Sequence, residues 1–405
     1  MDRKLLFLIA DGMGDWPLEA LGGRTVLQAA KAPHMDALAR RGMMGTCRTV
    51  PRGMPPGSDI ANMALLGFDP QHHHTGRGPI EAAATGLELG PTDLVWRLNL
   101  VTVSEFSPAG RMLDYSAGHI GNEQARPLIQ DLQEHLGGEV FSFHAGVQYR
   151  HLLVQQGGTE ADEITLDVNP PHDILDKPLA PDLTEYARSE RLYTLLHAAA
   201  ERLAAAGNAG KANAIWPWGQ GAPLRLPSFR EEFGMRGAVI SAVDLVKGLG
   251  RAAGMDVLEV PGATGLLDTD YEGKVAAALD YLNRGGEFVY LHVEAPDECG
   301  HGGDAAEKQE AIERFDARVV APLVEALPDA AFMVACDHLT PVVERTHVPD
   351  PVPFLLSWPG CGQDAMGVDR FDEATAADTG LHVDVGHELL PWCLNELGRP
   401  CKRNR

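Results

Sequence analysis

A chain of 405 residues has room for two domains or for one large domain with an insertion. With 44% hydrophobic and 22% charged residues it has the balance of a globular protein with a substantial core. The formal charge of −23 argues against nucleic acid and anionic membrane as partners, since both attract basic surfaces. No apolar run reaches the ~18 residues of a membrane span, and the six cysteines lack CxxC or zinc-ribbon spacing, so they read as reduced structural thiols.

In chain order, KLLFLIA at 4–10 is an apolar run that ends at Asp11 instead of a small-residue cleavage site. It reads as a buried strand and not a signal peptide, which places the protein in the cytoplasm. Residues 25–42 predict a helix. At 54–68, MPPGSDIANMALLGF sets a Pro-Pro-Gly lead before Ser58 and a helical stretch. Ser58 is expected to cap that helix. Free N–H groups at a helix start also attract anions, so the same hydroxyl is a candidate to take and return a phosphate. The histidines at 72–74 are expected to face solvent. Shorter strand-like pieces at 94–103, 112–117 and 140–155 flank a helix near 122–136, and the Pro-rich stretches at 76–79 and 169–182 mark boundaries. The chain is read as a core (1–75), an inserted smaller α+β domain (76–180) and the remainder of the core (181–405). In that last part, helices at 183–207, 274–285 and 306–327 alternate with apolar runs at 287–293, 330–336 and 352–358. Runs apolar at nearly every position, alternating with helices, predict a doubly wound α/β sheet of the parallel kind, covered on both faces.

The apolar runs lead into metal-ligand residue types. Asp11 follows the first, Asp297 and His301 follow the second four residues apart, Asp337 and His338 end the third, and His347 precedes the fourth. Ligands of open α/β sheets bind beyond the carboxyl ends of strands, so these groups are expected to converge. Asp and His side chains gathered in that way repel one another and are costly to desolvate without cations between them. Oxygen and imidazole ligands without thiolates suit Mn²⁺, Mg²⁺ or Zn²⁺. Two such ions about 4 Å apart clamp the attacking and leaving oxygens of an in-line displacement at phosphorus, with Ser58 as the nucleophile.

DGMGD at 11–15, PPGSDIANMALLGFDP at 55–70, APDECGH at 295–301, CDH at 336–338 and THVPDPVPF at 346–354 resemble the archaeal-type cofactor-independent phosphoglycerate mutases of the alkaline phosphatase superfamily. The likeness covers essentially the whole chain. It implies an alkaline-phosphatase-like core with an inserted substrate domain, two divalent ions, manganese foremost, and a phosphoserine intermediate with no 2,3-bisphosphoglycerate. By matching position, Asp297, His301 and His347 hold one ion, while Asp11, Ser58, Asp337 and His338 hold the other. The implied reaction interconverts 3-phosphoglycerate and 2-phosphoglycerate, small phosphorylated carboxylates, with the insert excluding water. Arg77 and Arg150 are the candidates for gripping the carboxylate, and Lys211 stands where the wider family places a lysine between metal site and phosphate; the competing reading of all three is a surface ion pair. Leu339 stands where a smaller or polar residue is expected. Cys299 and Cys336 read as inert buried thiols, and Trp216 and Trp218 as core packing. A homoserine kinase-type phosphotransferase and a metal-dependent phosphatase stay open as alternatives on the same core, although no GxxxxGK[ST] loop is present. A homo-oligomer is compatible with all of these.

Overall fold

The computed structural model describes residues 3–206, 211–362, 365–399 and 401. Their strands are β1 (Leu5–Ala10), β2 (Met43–Cys47), β3 (Leu94–Val103), β4 (Met112–Asp114), β5 (Phe141–Val147), β6 (Arg150–Gln155), β7 (Ala214–Gly221), β8 (Gly237–Ile240), β9 (Asp256–Val257), β10 (Phe288–Val293), β11 (Ala331–Ala335), β12 (Val352–Ser357) and β13 (His382–Val383). Two compact units divide the chain, one from residues 1–74 and 225–405, the other from 75–224.

The first unit is built on an eight-stranded sheet of order β13-β2-β12-β11-β1-β10-β8-β9. Its central strands, β1 and β10–β12, are buried at every position, as their unbroken apolar runs require. β1 pairs in parallel with β10 and with β11, in registers that align Ala10 with Val293 and Ile9 with Ala335. Their carboxyl ends therefore open on one side of the sheet. The expectation of a parallel sheet fails at β12, which runs antiparallel to both β11 and β2. That reversal brings the start of β12, and His347 just before it, to the edge where β1, β2 and β11 finish.

Three long predicted helices are interrupted, the one at 183–207 being divided between Ala180–Tyr186 and Glu190–Ala205. The one at 25–42 is two helices, Val26–Ala29 and Pro33–Arg40, because Pro33 starts a new first turn in place of continuing the old one. The one at 306–327 contains a π-helical turn over Asp316–Val320. Buried Asp316 accepts the backbone N–H groups of His34 (3.2 Å) and Met35 (2.7 Å), which caps the Pro33–Arg40 helix from another element.

The second unit contains an antiparallel sheet in which β3 pairs with β4, β6 and β7, and β6 also with β5. Its core includes Trp96, Trp216, Leu153 and Tyr186 together with residues of the helices Asn122–Leu136 and Glu190–Ala205. The unit runs to Leu224 instead of ending near 180. β7 hydrogen-bonds along β3 from Ala214 to Gly221, and Tyr186 Oη donates to Pro217 O at 2.6 Å, so the later segment is integral to this sheet.

Candidate metal and phosphoryl-transfer site

Asp11 follows β1 directly, and the turn after it depends on Gly12 at φ +58°. A Cβ there would lie 2.5 Å from both Asp297 Oδ1 and Thr340 Oγ1, so the absence of a side chain permits the Asp11 loop to approach Asp297. The helix Ala295–Gly302 carries Asp297 and His301 one turn apart, with His301 Nε2 3.2 Å from Asp297 Oδ2. His347 Nε2 is 3.5 Å from Asp297 Oδ1 and 3.0 Å from His301 Nε2. Asp337 and His338 end the β11 run, with His338 Nε2 3.5 Å from Asp11 Oδ1. Asp297, His338 and His347 form one group able to surround a cation, and Asp11, Asp337 and His338 form a second. His338 belongs to both.

Ser58 departs from expectation. Gly57 is the N-cap of the helix Ser58–Leu65, and Ser58 is its first helical residue. Its hydroxyl makes no capping bond and lies 3.1 Å from His338 Nε2. Asn62, one turn on, donates to Ser58 O and to Asp337 Oδ2, both at 2.8 Å, which ties the start of the helix to the second group.

The electrostatics fit a cation. Burial, reinforced by Asp337 and Asp297, pushes the Asp11 carboxyl well above the usual range, and its Oδ1 has no hydrogen-bond partner among the described residues. Burial also opposes ionisation of Asp297, but hydrogen bonds from His301 and His347 outweigh it and hold that carboxyl well below the usual range. The Asp297 bond raises His301 to about 9. A proton on His301 thus supplies positive charge beside Asp297, a role a divalent ion would take over.

Sequence reasoning passed over His292. It lies on β10, fully buried, with Nε2 3.4 Å from Asp11 Oδ2 and Nδ1 3.2 Å from Glu294 Oε1. Glu294 in turn binds the buried Lys274 ammonium at 2.8 Å. The only signal was a histidine inside an otherwise apolar strand. Leu339 proves to be a packing residue, with its side chain against the space beside Gly14. Cys299 and Cys336 are buried, with thiols pushed up by burial. His74 departs from the solvent-facing expectation, since its Nε2 pairs with Asp59 Oδ2 at 2.9 Å.

Near this site Asp15 N and Thr25 Oγ1 donate to the Glu373 carboxylate, at 3.0 and 2.7 Å. Burial lifts Glu373 to about 7, so the unfolded chain releases this proton first. The resulting stability cost is absent below the ordinary carboxyl range, grows as pH rises, and is complete above about 7. At about 1.4 kcal/mol per pKa unit it amounts to at most about 3.5 kcal/mol. Thermal melts of Glu373→Gln are expected to gain on the parent from pH 5 to pH 8; a constant difference would refute the assignment.

In the second unit, Arg77 begins the helix Arg77–Thr85, and its guanidinium carbon lies 5.7 Å from the Trp218 ring centroid. Arg150 begins β6, 5.7 Å from the ring of Tyr149. The charges of both act on Arg97, 6% exposed, which the sequence reading missed as a lone cation inside the apolar run 94–103. It lies 4.9 Å from the Trp218 ring and binds Glu81 at 2.5 Å. Burial, with like charge from Arg77 and Arg150, outweighs Glu81 and lowers it to about 10. Trp216 is core packing as expected, but Trp218 also faces two guanidinium groups. Lys211 is exposed, and its backbone carbonyl accepts from Thr102 Oγ1.

The model of the 2,3-bisphosphoglycerate-independent phosphoglycerate mutase family matches residues 39–207. A probable 2,3-bisphosphoglycerate-independent phosphoglycerate mutase of Geobacter sulfurreducens is 46% identical, over 97% of this chain and all of its own. One of Methanothrix thermoacetophila is 44% identical over 96% of this chain and 98% of its own. Among solved structures, a cofactor-independent phosphoglycerate mutase of Thermoplasma acidophilum superposes with a TM-score of 0.65 at 27% identity, over 98% of this chain and all of that one. A Pyrococcus horikoshii protein reaches 0.79 at 29% identity, over 98% of each chain.

Proposed function

The chain belongs to the family of 2,3-bisphosphoglycerate-independent phosphoglycerate mutases, and from that membership we propose that it interconverts 3-phosphoglycerate and 2-phosphoglycerate through a phosphoserine at Ser58. The observation that carries the serine assignment is its hydroxyl, unused by the helix and 3.1 Å from His338 Nε2, beside two cation-sized groups of carboxylate and imidazole. Asp297, His301 and His347 would hold one divalent ion, and Asp11, Ser58, Asp337 and His338 the other, with manganese the first choice. Such ions neutralise phosphoryl oxygens and favour the serine alkoxide.

Ser58 Oγ forms a bond to phosphorus as the bond from phosphorus to the glycerate 3-oxygen breaks. In net terms the serine proton passes to that oxygen. The glycerate reorients, its 2-hydroxyl attacks phosphorus, the Oγ–P bond breaks, and a proton returns to Ser58. Arg77 and Arg150, joined by Arg97, supply guanidinium groups for the glycerate carboxylate. Lys211 serves as an auxiliary phosphate contact, and exclusion of water keeps the phosphoserine from being hydrolysed.

Phosphorus NMR of the protein with Mn²⁺ and 3-phosphoglycerate, without ATP or 2,3-bisphosphoglycerate, is expected to show the 2-phosphoglycerate resonance. Inorganic phosphate as the sole product would replace the mutase with a hydrolase.

A further inference from the structure

Lys308 has no part in the mechanism above, yet its side chain is fully buried. It lies in the first turns of the helix Ala305–Phe315, where the helix dipole disfavours a cation. Its ammonium has three donors, and each has an acceptor: Gly14 O at 2.9 Å, Asp15 Oδ2 at 2.9 Å and Thr340 O at 2.8 Å. Gly14 belongs to the loop that carries Asp11, and Thr340 to the loop that carries Asp337 and His338. Lys308 itself lies just beyond the helix that carries Asp297 and His301. Three ligand-bearing segments thus meet at one dry ammonium.

Thr340 continues the connection. Its hydroxyl donates its single proton to Asp297 Oδ1 and lies 3.2 Å from His338 Nδ1. With that proton committed, the hydroxyl accepts from Nδ1–H, which leaves the lone pair of His338 on Nε2, the atom facing Ser58 and Asp11. One threonine therefore orients a residue of each cation group. A buried ion pair is a poor way to gain stability, since well-packed apolar side chains often do better.

Resting on the two-ion reading, we infer that Lys308 is a positioning residue for both metal sites, fixing the Thr340 loop so that the Thr340 hydroxyl sets the orientation of Asp297 and the tautomer of His338. Outer-shell contacts of this kind are worth about 10–100-fold in metal affinity.

The test uses the full chain, stripped of metal, with Mn²⁺ binding followed by electron paramagnetic resonance and folding by circular dichroism. Parent protein that binds no Mn²⁺ would remove the two-ion reading, and this inference with it. If the parent binds, the pair-neutral variant Lys308→Met with Asp15→Asn is expected to fold and to bind Mn²⁺ about 10–100-fold more weakly. Thr340→Val, which leaves the ammonium and its carboxylate intact, is expected to lose affinity in the same range, and the combined variant no more than the worse of the two. A folded pair-neutral variant with parental Mn²⁺ affinity would overturn the inference. Should that variant not fold, Thr340→Val decides alone: parental affinity overturns the inference, and a tenfold or greater loss supports it.

Discussion

Ser58→Ala folds and forms no detectable 2-phosphoglycerate, a fall in kcat of about 10⁴-fold or more, as expected when a covalent nucleophile is lost. The fold should tolerate the change. The Ser58 hydroxyl does not cap its helix, because Gly57 occupies the cap, and its contact in the structure is with His338. Loss of one hydroxyl at a partly exposed position is therefore expected to move Tm by about 2 °C or less. Phosphorus NMR for turnover and a thermal melt for folding check both halves. Turnover above about 1% of the parent would mean that the phosphoryl group does not travel through Ser58.

Exhaustive chelation is expected to abolish turnover and lower Tm, with both restored by Mn²⁺. Asp11, Asp297 and Asp337 are buried together, and Asp11 Oδ1 has no hydrogen-bond partner among the described residues. An ion present at about 100 times its Kd stabilises the folded state by about 2.7 kcal/mol. The pH dependence follows from His301. Its imidazole, raised to about 9 by Asp297, must release a proton before it can ligate. Mn²⁺ affinity should therefore strengthen as pH rises from 7 towards 9, with proton release seen calorimetrically in buffers of different ionisation enthalpy. Activity that survives metal removal, or affinity indifferent to pH in that range, would contradict this account.

Particular residues mark how far local sequence reaches. The runs 4–10, 287–293, 330–336 and 352–358 announced buried strands, because a strand covered on both faces must be apolar at successive positions. The aspartates and histidines around those runs announced a cluster able to hold a cation, because such groups are costly to bury together without a charge to offset them. The reading failed where strand direction mattered. Nothing within VPFLLSW tells which way it pairs, and only its antiparallel placement beside β11 and β2 explains why His347, which precedes a strand, meets aspartates that follow strands. The reach of the second unit to Leu224 was hidden for the same reason, since β7 belongs there through hydrogen bonds to β3, more than a hundred residues earlier.

By itself the sequence determined the α/β class and the central apolar strands, and it named the aspartates and histidines that the fold gathers, all of which rest on side-chain type and short-range period. Tertiary structure alone decided that Ser58 leaves the cap to Gly57, that Arg97 joins Arg77 at the Trp218 ring, and that Lys308 is saturated by Asp15 and two loop carbonyls. Each depends on partners far away in the chain, and hydrogen bonding and desolvation act on neighbours in space.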